Sequence, residues 1–188
     1  MRSESSAVPE NQRIRLSKQM LKDALLRLLK REELEAITVQ ALCTEAQINR
    51  STFYRYYGST RDVLDAIRED FLTEMESGIR TGAYDAGLSL QQTLHCLWEN
   101  RELVEVLQRT YSENALLAEL IRRQPVLDQL SRHARRGYTG ADADYAMDFF
   151  IYGSWAIIRR WLQSGDQSSL QHIAALLLEI NRSCQRSG

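Results

Sequence analysis

Helix breakers are scarce in this chain, with two prolines and nine glycines in 188 residues. Both residue types disfavour helix interiors, so their scarcity leaves room for long helices. Cysteine is scarcer than glycine. Cys43, Cys96 and Cys184 are far apart and odd in number, which argues against a disulfide framework or a C-x-x-C metal site and fits a reducing cytoplasm. No apolar run approaches the roughly 18 residues that a membrane span needs. The opening "MRSESSAVPE" has no apolar core, so no secretory signal is expected there. Catalytic signatures are missing as well. There is no GxSxG and no phosphate-binding glycine loop, and His95, His133 and His172 stand in no paired-ligand spacing. Asp142, Asp144 and Asp148 have no histidine among them, and acids near a helix start are routine. No enzyme activity, metal or cofactor is expected.

What remains is an ordinary globular composition, 44% hydrophobic and 26% charged, enough for one sizeable core or for a small domain plus a larger one. The net charge of −1 is unevenly spread. Residues 1–60 hold ten basic and seven acidic residues, net +3; residues 61–188 hold fourteen and eighteen, net −4. A basic front on an acidic body suits contact with a polyanion.

The chain reads as all-α, with about nine helices. Residues 1–11 are polar and expected to be disordered. From Ile14 to about Lys30, Leu21, Leu25, Leu28 and Leu29 recur at helical spacing, with charges on the other face. Thr38 is a good N-cap for a short helix with Val39, Leu42, Cys43 and Ala46 on one face. Gln47 and Ile48 interrupt. Asn49 should cap a third helix, Arg50 to about Tyr57, which Gly58 should end. A fourth starts near Thr60 or Arg61.

Two helices of about eight residues joined by a turn of about three form the helix-turn-helix arrangement. The stretch "INRSTFYRYYGST" (residues 48–60) has no acidic residue, as a helix lying in a DNA groove requires. Phe53 and Tyr57 are expected to face inward. Arg50, Ser51, Thr52, Tyr54, Arg55 and Tyr56 lie around the remaining surface, where arginine pairs with guanine edges, threonine meets thymine methyls and tyrosine hydroxyls reach phosphates. Arg15 and Lys18 on the first helix, with Thr38, Gln40 and Thr60, complete the expected DNA contacts.

Thr38-Val39, Leu42-Cys43, Ala46, Ile48, Ser51-Thr52-Phe53-Tyr54, Tyr56-Tyr57 and Val63-Leu64 together resemble the TetR family of bacterial transcriptional regulators, over about Ser17 to Ile67. Cys43 stands where the family usually has alanine, Gln47 where it usually has the helix-ending glycine, and Thr60 where it usually has a phosphate-touching lysine. The resemblance implies a DNA-binding domain, here residues 12–60, followed by a helical regulatory and dimerisation domain, residues 61–188.

In that second part, residues 78–88 form the expected linker. Helices are expected at about Ser89–Asn100, Glu102–Tyr111, Glu113–Arg136 (kinked at Pro125), Ala141–Gln163 and Ser168–Cys184. The last two carry more apolar surface than one stripe needs. The family resemblance implies that two such helices from each subunit form a four-helix bundle, with Ile151, Ile158, Leu162, Ile173, Leu177 and Ile180 as candidate interface. It also implies an effector cavity, for which His95, Trp98, Tyr111, Phe149, Tyr152 and Trp155 are the candidate lining.

The expected function is a cytoplasmic homodimeric repressor, released from a palindromic double-stranded operator by a small molecule. The alternative is a helical adaptor with a degenerate helix-turn-helix that acts through protein partners.

Overall fold

The computed structural model describes residues 10–78, 86–111 and 138–186, together with residues 116, 119, 120 and 123. All regular structure among them is helical, as expected: α1 (Glu10–Leu29), α2 (Val39–Ala46), α3 (Arg50–Tyr56), α4 (Thr60–Gly78), α5 (Ala86–Glu99), α6 (Arg101–Thr110), α7 (Ala141–Ser164) and α8 (Leu170–Arg186), with 3-10 turns at Leu34–Ala36 and Gln167–Ser169. Residues 1–9, 79–85 and most of the helix expected over 113–136, including Pro125, lie outside the described residues. Glu10 and Asn11, expected in the tail, open α1 instead. Gly78 closes α4 and Ala86 opens α5, so both ends of the expected linker are helical. Gly78 and Gly87 sit in terminal turns, where glycine is tolerated.

The chain divides into two compact units, residues 1–70 and 71–188, with the division inside α4. The expected domain boundary fell ten residues earlier. The first half of α4 belongs with the first unit because Val63, Leu64 and Ile67 are buried and because Lys22 of α1 forms an ion pair with Asp70.

In the first unit, α1 contributes Leu21, Ala24, Leu25, Leu28 and Leu29 to the core. These are the positions that recur at helical spacing, so the amphipathic stripe faces inward. Between α1 and α2 the chain is pinned by Leu34 and Ile37, both buried. The α1–α2 packing carries a surface ion pair, Arg27 Nε to Glu45 Oε1 at 2.6 Å, worth about 1 kcal/mol or less at this exposure.

In the second unit α8 packs against α5 and α7, and α5 also packs against α6 and α7. Its core is built from Phe71, Leu72, Met75, Leu90, Leu94, Leu97, Val104, Leu107, Phe150, Trp155, Ile158, Trp161, Ala174 and Leu177. Trp98 of α5 stacks on Trp161 of α7 with ring centroids 5.1 Å apart. Gly140 (φ 57°, ψ −136°) precedes α7 and Gly165 (φ 72°, ψ 5°) follows it. Both conformations suit glycine because a Cβ is strained there. The Trp161 indole then donates to the Asp166 carbonyl at 3.0 Å, tying the α7–α8 connection to the core.

Candidate nucleic-acid interface

Thr38 caps α2 as its sequence suggests: its hydroxyl accepts from the Ala41 amide at 3.1 Å. The helix ends at Gln47, which adopts φ 56°, ψ 40°. The Ile48 amide donates to the Cys43 carbonyl at 2.9 Å and the Gln47 amide to the Thr44 carbonyl at 3.1 Å. That pair of bonds is a Schellman motif, normally built on glycine. Gln47 therefore makes the turn in spite of its side chain, and is the one non-glycine residue at positive φ among those described.

Asn49 occupies the N-cap of α3 but makes no side-chain capping bond. Phe53 is fully buried and Tyr57 nearly so. Their rings lie 6.1 Å apart, and Phe53 also meets Tyr54 edge-on at 5.3 Å. This anchor fixes which side of α3 faces out. Burying Phe53 contributes about 2–3 kcal/mol.

α3 ends just before Gly58, as expected, but Gly58 does not take the left-handed conformation common after a helix; it is absent from the positive-φ glycines among the described residues. The helix stops at Tyr57, which is extended (φ −141°, ψ 142°). The cause is the start of α4. The Asp62 carboxylate accepts from the Gly58 amide at 2.8 Å, the Ser59 amide at 3.1 Å and the Ser59 hydroxyl at 2.9 Å, while the Ser59 hydroxyl accepts from the Asp62 amide at 3.2 Å. This is a reciprocal capping box. The Ser59 hydroxyl and the Gly58 amide hold the Asp62 carboxyl below the usual aspartate range. A Cβ at Gly58 would stand 3.0 Å from Asp62 Oδ2, so a side chain here would crowd the capping carboxylate. The S-x-x-D spacing of Ser59 and Asp62 was the available sequence sign.

The outer side of the helix-turn-helix is now defined. Arg50, Ser51, Tyr54 and Arg55 on α3 are exposed, as are Thr38 and Gln40 at α2 and Arg15 and Lys18 on α1; Thr52, Tyr56 and Thr60 are half-buried. Two cation–ring contacts tie parts of this surface together. The Lys18 ammonium lies 5.8 Å from the Tyr56 ring centroid, joining α1 to α3, and the Arg50 guanidinium lies 5.9 Å from that of Tyr54. No acidic side chain arises from residues 48–60. Cys43 lies beneath, and burial raises its thiol pKa although Arg50 opposes the shift. Burial, helped by Glu74, pushes Cys96 up to about 11 against its bond from Asn100. Neither thiol is a ready thiolate at neutral pH.

The six residues expected to line one cavity are scattered. Trp98 and Trp155 are in the core, His95, Phe149 and Tyr152 are exposed, and Tyr111 is half-buried. Phe149 lines a groove of about 900 Å³ between α7 and α8, whereas His95 lines a separate one of about 660 Å³ between α5 and the start of α8. Aromatic side chains on one helix point to different sides, so aromatic content alone does not define a pocket. The expected interface residues also divide. Ile158, Leu162 and Leu177 are already buried within one chain, and Ile151, Ile173 and Ile180 are half-buried. The most exposed apolar residues of α7 are Tyr145, Phe149 and Tyr152, spaced i, i+4, i+7 and outside the set expected at the interface. Among the described residues no three His, Cys, Asp or Glu side chains converge as metal ligands, and no helix is long and apolar enough to cross a membrane.

Comparison with known proteins agrees with this architecture. Residues 21–67 match the bacterial regulatory proteins of the tetR family, and residues 88–183 match a TetR transcriptional regulator C-terminal region. An uncharacterized HTH-type transcriptional regulator, YxbF of Bacillus subtilis (strain 168), is 23% identical over 169 residues, covering 85% of this chain; the chain spans 43% of that relative's length. A TetR transcriptional regulator from Streptococcus agalactiae 2603V has the same fold (TM-score 0.68, 21% identity, covering 92% of this chain and 97% of that one). So does the fatty acid degradation regulator FadR from Bacillus halodurans (TM-score 0.58, 15% identity, covering 88% and 94%). The chain belongs to the TetR family of transcriptional regulators.

Proposed function

We propose that this protein is a DNA-binding transcriptional repressor that reads a two-fold symmetric operator as a homodimer. The observation that carries the reading is the outer side of α3: Arg50, Ser51, Tyr54 and Arg55 are exposed over an anchor of Phe53 and Tyr57, on a stretch free of carboxylates. Arg50 and Thr52 read base edges. Arg15, Lys18, Thr38, Gln40, Ser51, Tyr54, Arg55, Tyr56 and Thr60 contact the phosphates that position the helix. The unit of residues 1–70 carries the DNA-reading surface, and residues 71–188 regulate and dimerise it. Such a protein acts in the cytoplasm, where it meets the chromosome.

One helix-turn-helix covers few base pairs, so two copies on paired half-sites supply the specificity. The partner surface is the exposed side of α7 with α8, where Ile151, Ile173 and Ile180 keep part of their surface open. A small-molecule effector taken up by the second unit releases the operator. The buried Trp155 indole N–H, which has no acceptor among the described residues, supports this as a donor available to a ligand.

The test is a selection of genomic fragments, including the region upstream of the protein's own gene, followed by footprinting. The expected result is protection of two inverted half-sites about one helical turn apart. Equal affinity for all fragments at every salt concentration would overturn the reading.

A further inference from the structure

The exposed side of α7 carries a stripe of Tyr145 (70% exposed), Phe149 (72%) and Tyr152 (42%), continued by exposed Ala156. An aromatic stripe this open, on a helix whose other side is already in the core, marks an interface.

The stripe is symmetric about its own centre. Tyr145 and Ala156 are equidistant from a point between Phe150 and Ile151, and Phe149 and Tyr152 share that midpoint. Two antiparallel copies crossing there set each Tyr145 ring against a methyl group and each Phe149 against a Tyr152. One pair of charges on α7 obeys the same symmetry. Asp142 and Arg160 are both exposed and eighteen residues apart, which is five full turns at 3.6 residues per turn, so they share one flank of the stripe. Their midpoint is Ile151, about 0.8 Å along the axis from that of the stripe. A two-fold axis relating antiparallel helices brings each flank against the same flank of the partner. Asp142 therefore meets Arg160 of the partner subunit, and the contact occurs twice. Parallel pairing about an axis along the helices would leave Asp142 and the partner's Arg160 at different heights and on opposite flanks, so neither ion pair would form.

We propose that α7 pairs antiparallel with α7 of a second copy of this chain, centred between Phe150 and Ile151, and that two Asp142–Arg160 ion pairs across the two-fold axis set its register. The proposal rests on the dimer reading and specifies the side chains that make the chain recognise itself.

The test is charge reversal in the full chain, without DNA: Asp142→Arg, Arg160→Asp and the double variant. Sedimentation equilibrium gives the dimer dissociation constant, and circular dichroism checks folding. At low salt each single reversal should weaken the dimer about ten-fold or more, because it opposes like charges at two symmetric places. The double reversal should return to within about three-fold of wild type, since the pairs re-form with exchanged signs. A double variant that dissociates as far as the two singles combined would overturn the proposal, as would singles that leave the dimer unchanged. If Phe149→Asp separates the subunits while the charge reversals do not, the dimer surface stands and the proposed register fails.

Discussion

Arg50 and Asp62 stand at opposite ends of the reading segment and show how much a single side chain decides. Arg50 is exposed at the first position of α3, with its guanidinium near the Tyr54 ring. A partly ordered guanidinium loses less freedom when it grips a base edge. Arg50→Ala should weaken operator binding by about 1–3 kcal/mol and unrelated DNA much less. Fluorescence titrations against both DNAs check this, and equal losses on both would move Arg50 from base reading to phosphate contact. Asp62 acts through its protonation state. Its folded pKa is depressed, so its contribution to stability is full above the ordinary aspartate value of about 4 and is lost as pH falls through the lower folded value. Denaturant unfolding of wild type and Asp62→Ala at neutral and strongly acid pH should show a stability gap that narrows in acid. A gap of constant size would mean that the charge on the capping box contributes nothing.

At the scale of the element, α2, its turn and α3 were legible because three independent signs coincide: apolar spacing, the Thr38 cap and the acid-free stretch. Gly58 was legible only as a glycine. Its setting is a neighbouring cap that approaches the backbone, and a glycine favoured by close approach looks the same in sequence as one demanded by a left-handed φ. Gln47 carries the converse lesson, since it takes the left-handed position without being glycine. A non-glycine residue there costs about 1–2 kcal/mol of local strain, partly offset by the larger chain entropy of glycine when unfolded. Gln47→Gly should stabilise the protein by about 0.5–1 kcal/mol in chemical denaturation. A loss of stability would show that the Gln47 side chain makes a contribution of its own at the turn.

The whole molecule was less legible, because a helix apolar nearly all round does not announce which side meets its own core. Leu177 and Ile158 read as interface residues but are buried within one chain, so Leu177→Asp would damage folding before it tested assembly. Phe149 read as pocket lining, yet it is among the most exposed apolar side chains described. The direct measurement of the two-headed account uses the Phe149→Asp variant, with sedimentation and operator titration on the same folded sample. A carboxylate at the centre of an apolar contact should leave the protein folded but monomeric. Its affinity for the full operator should then fall at least about 100-fold, because each head binds alone and the linked second half-site is lost. A folded monomer that binds the full operator as tightly as wild type would contradict the account.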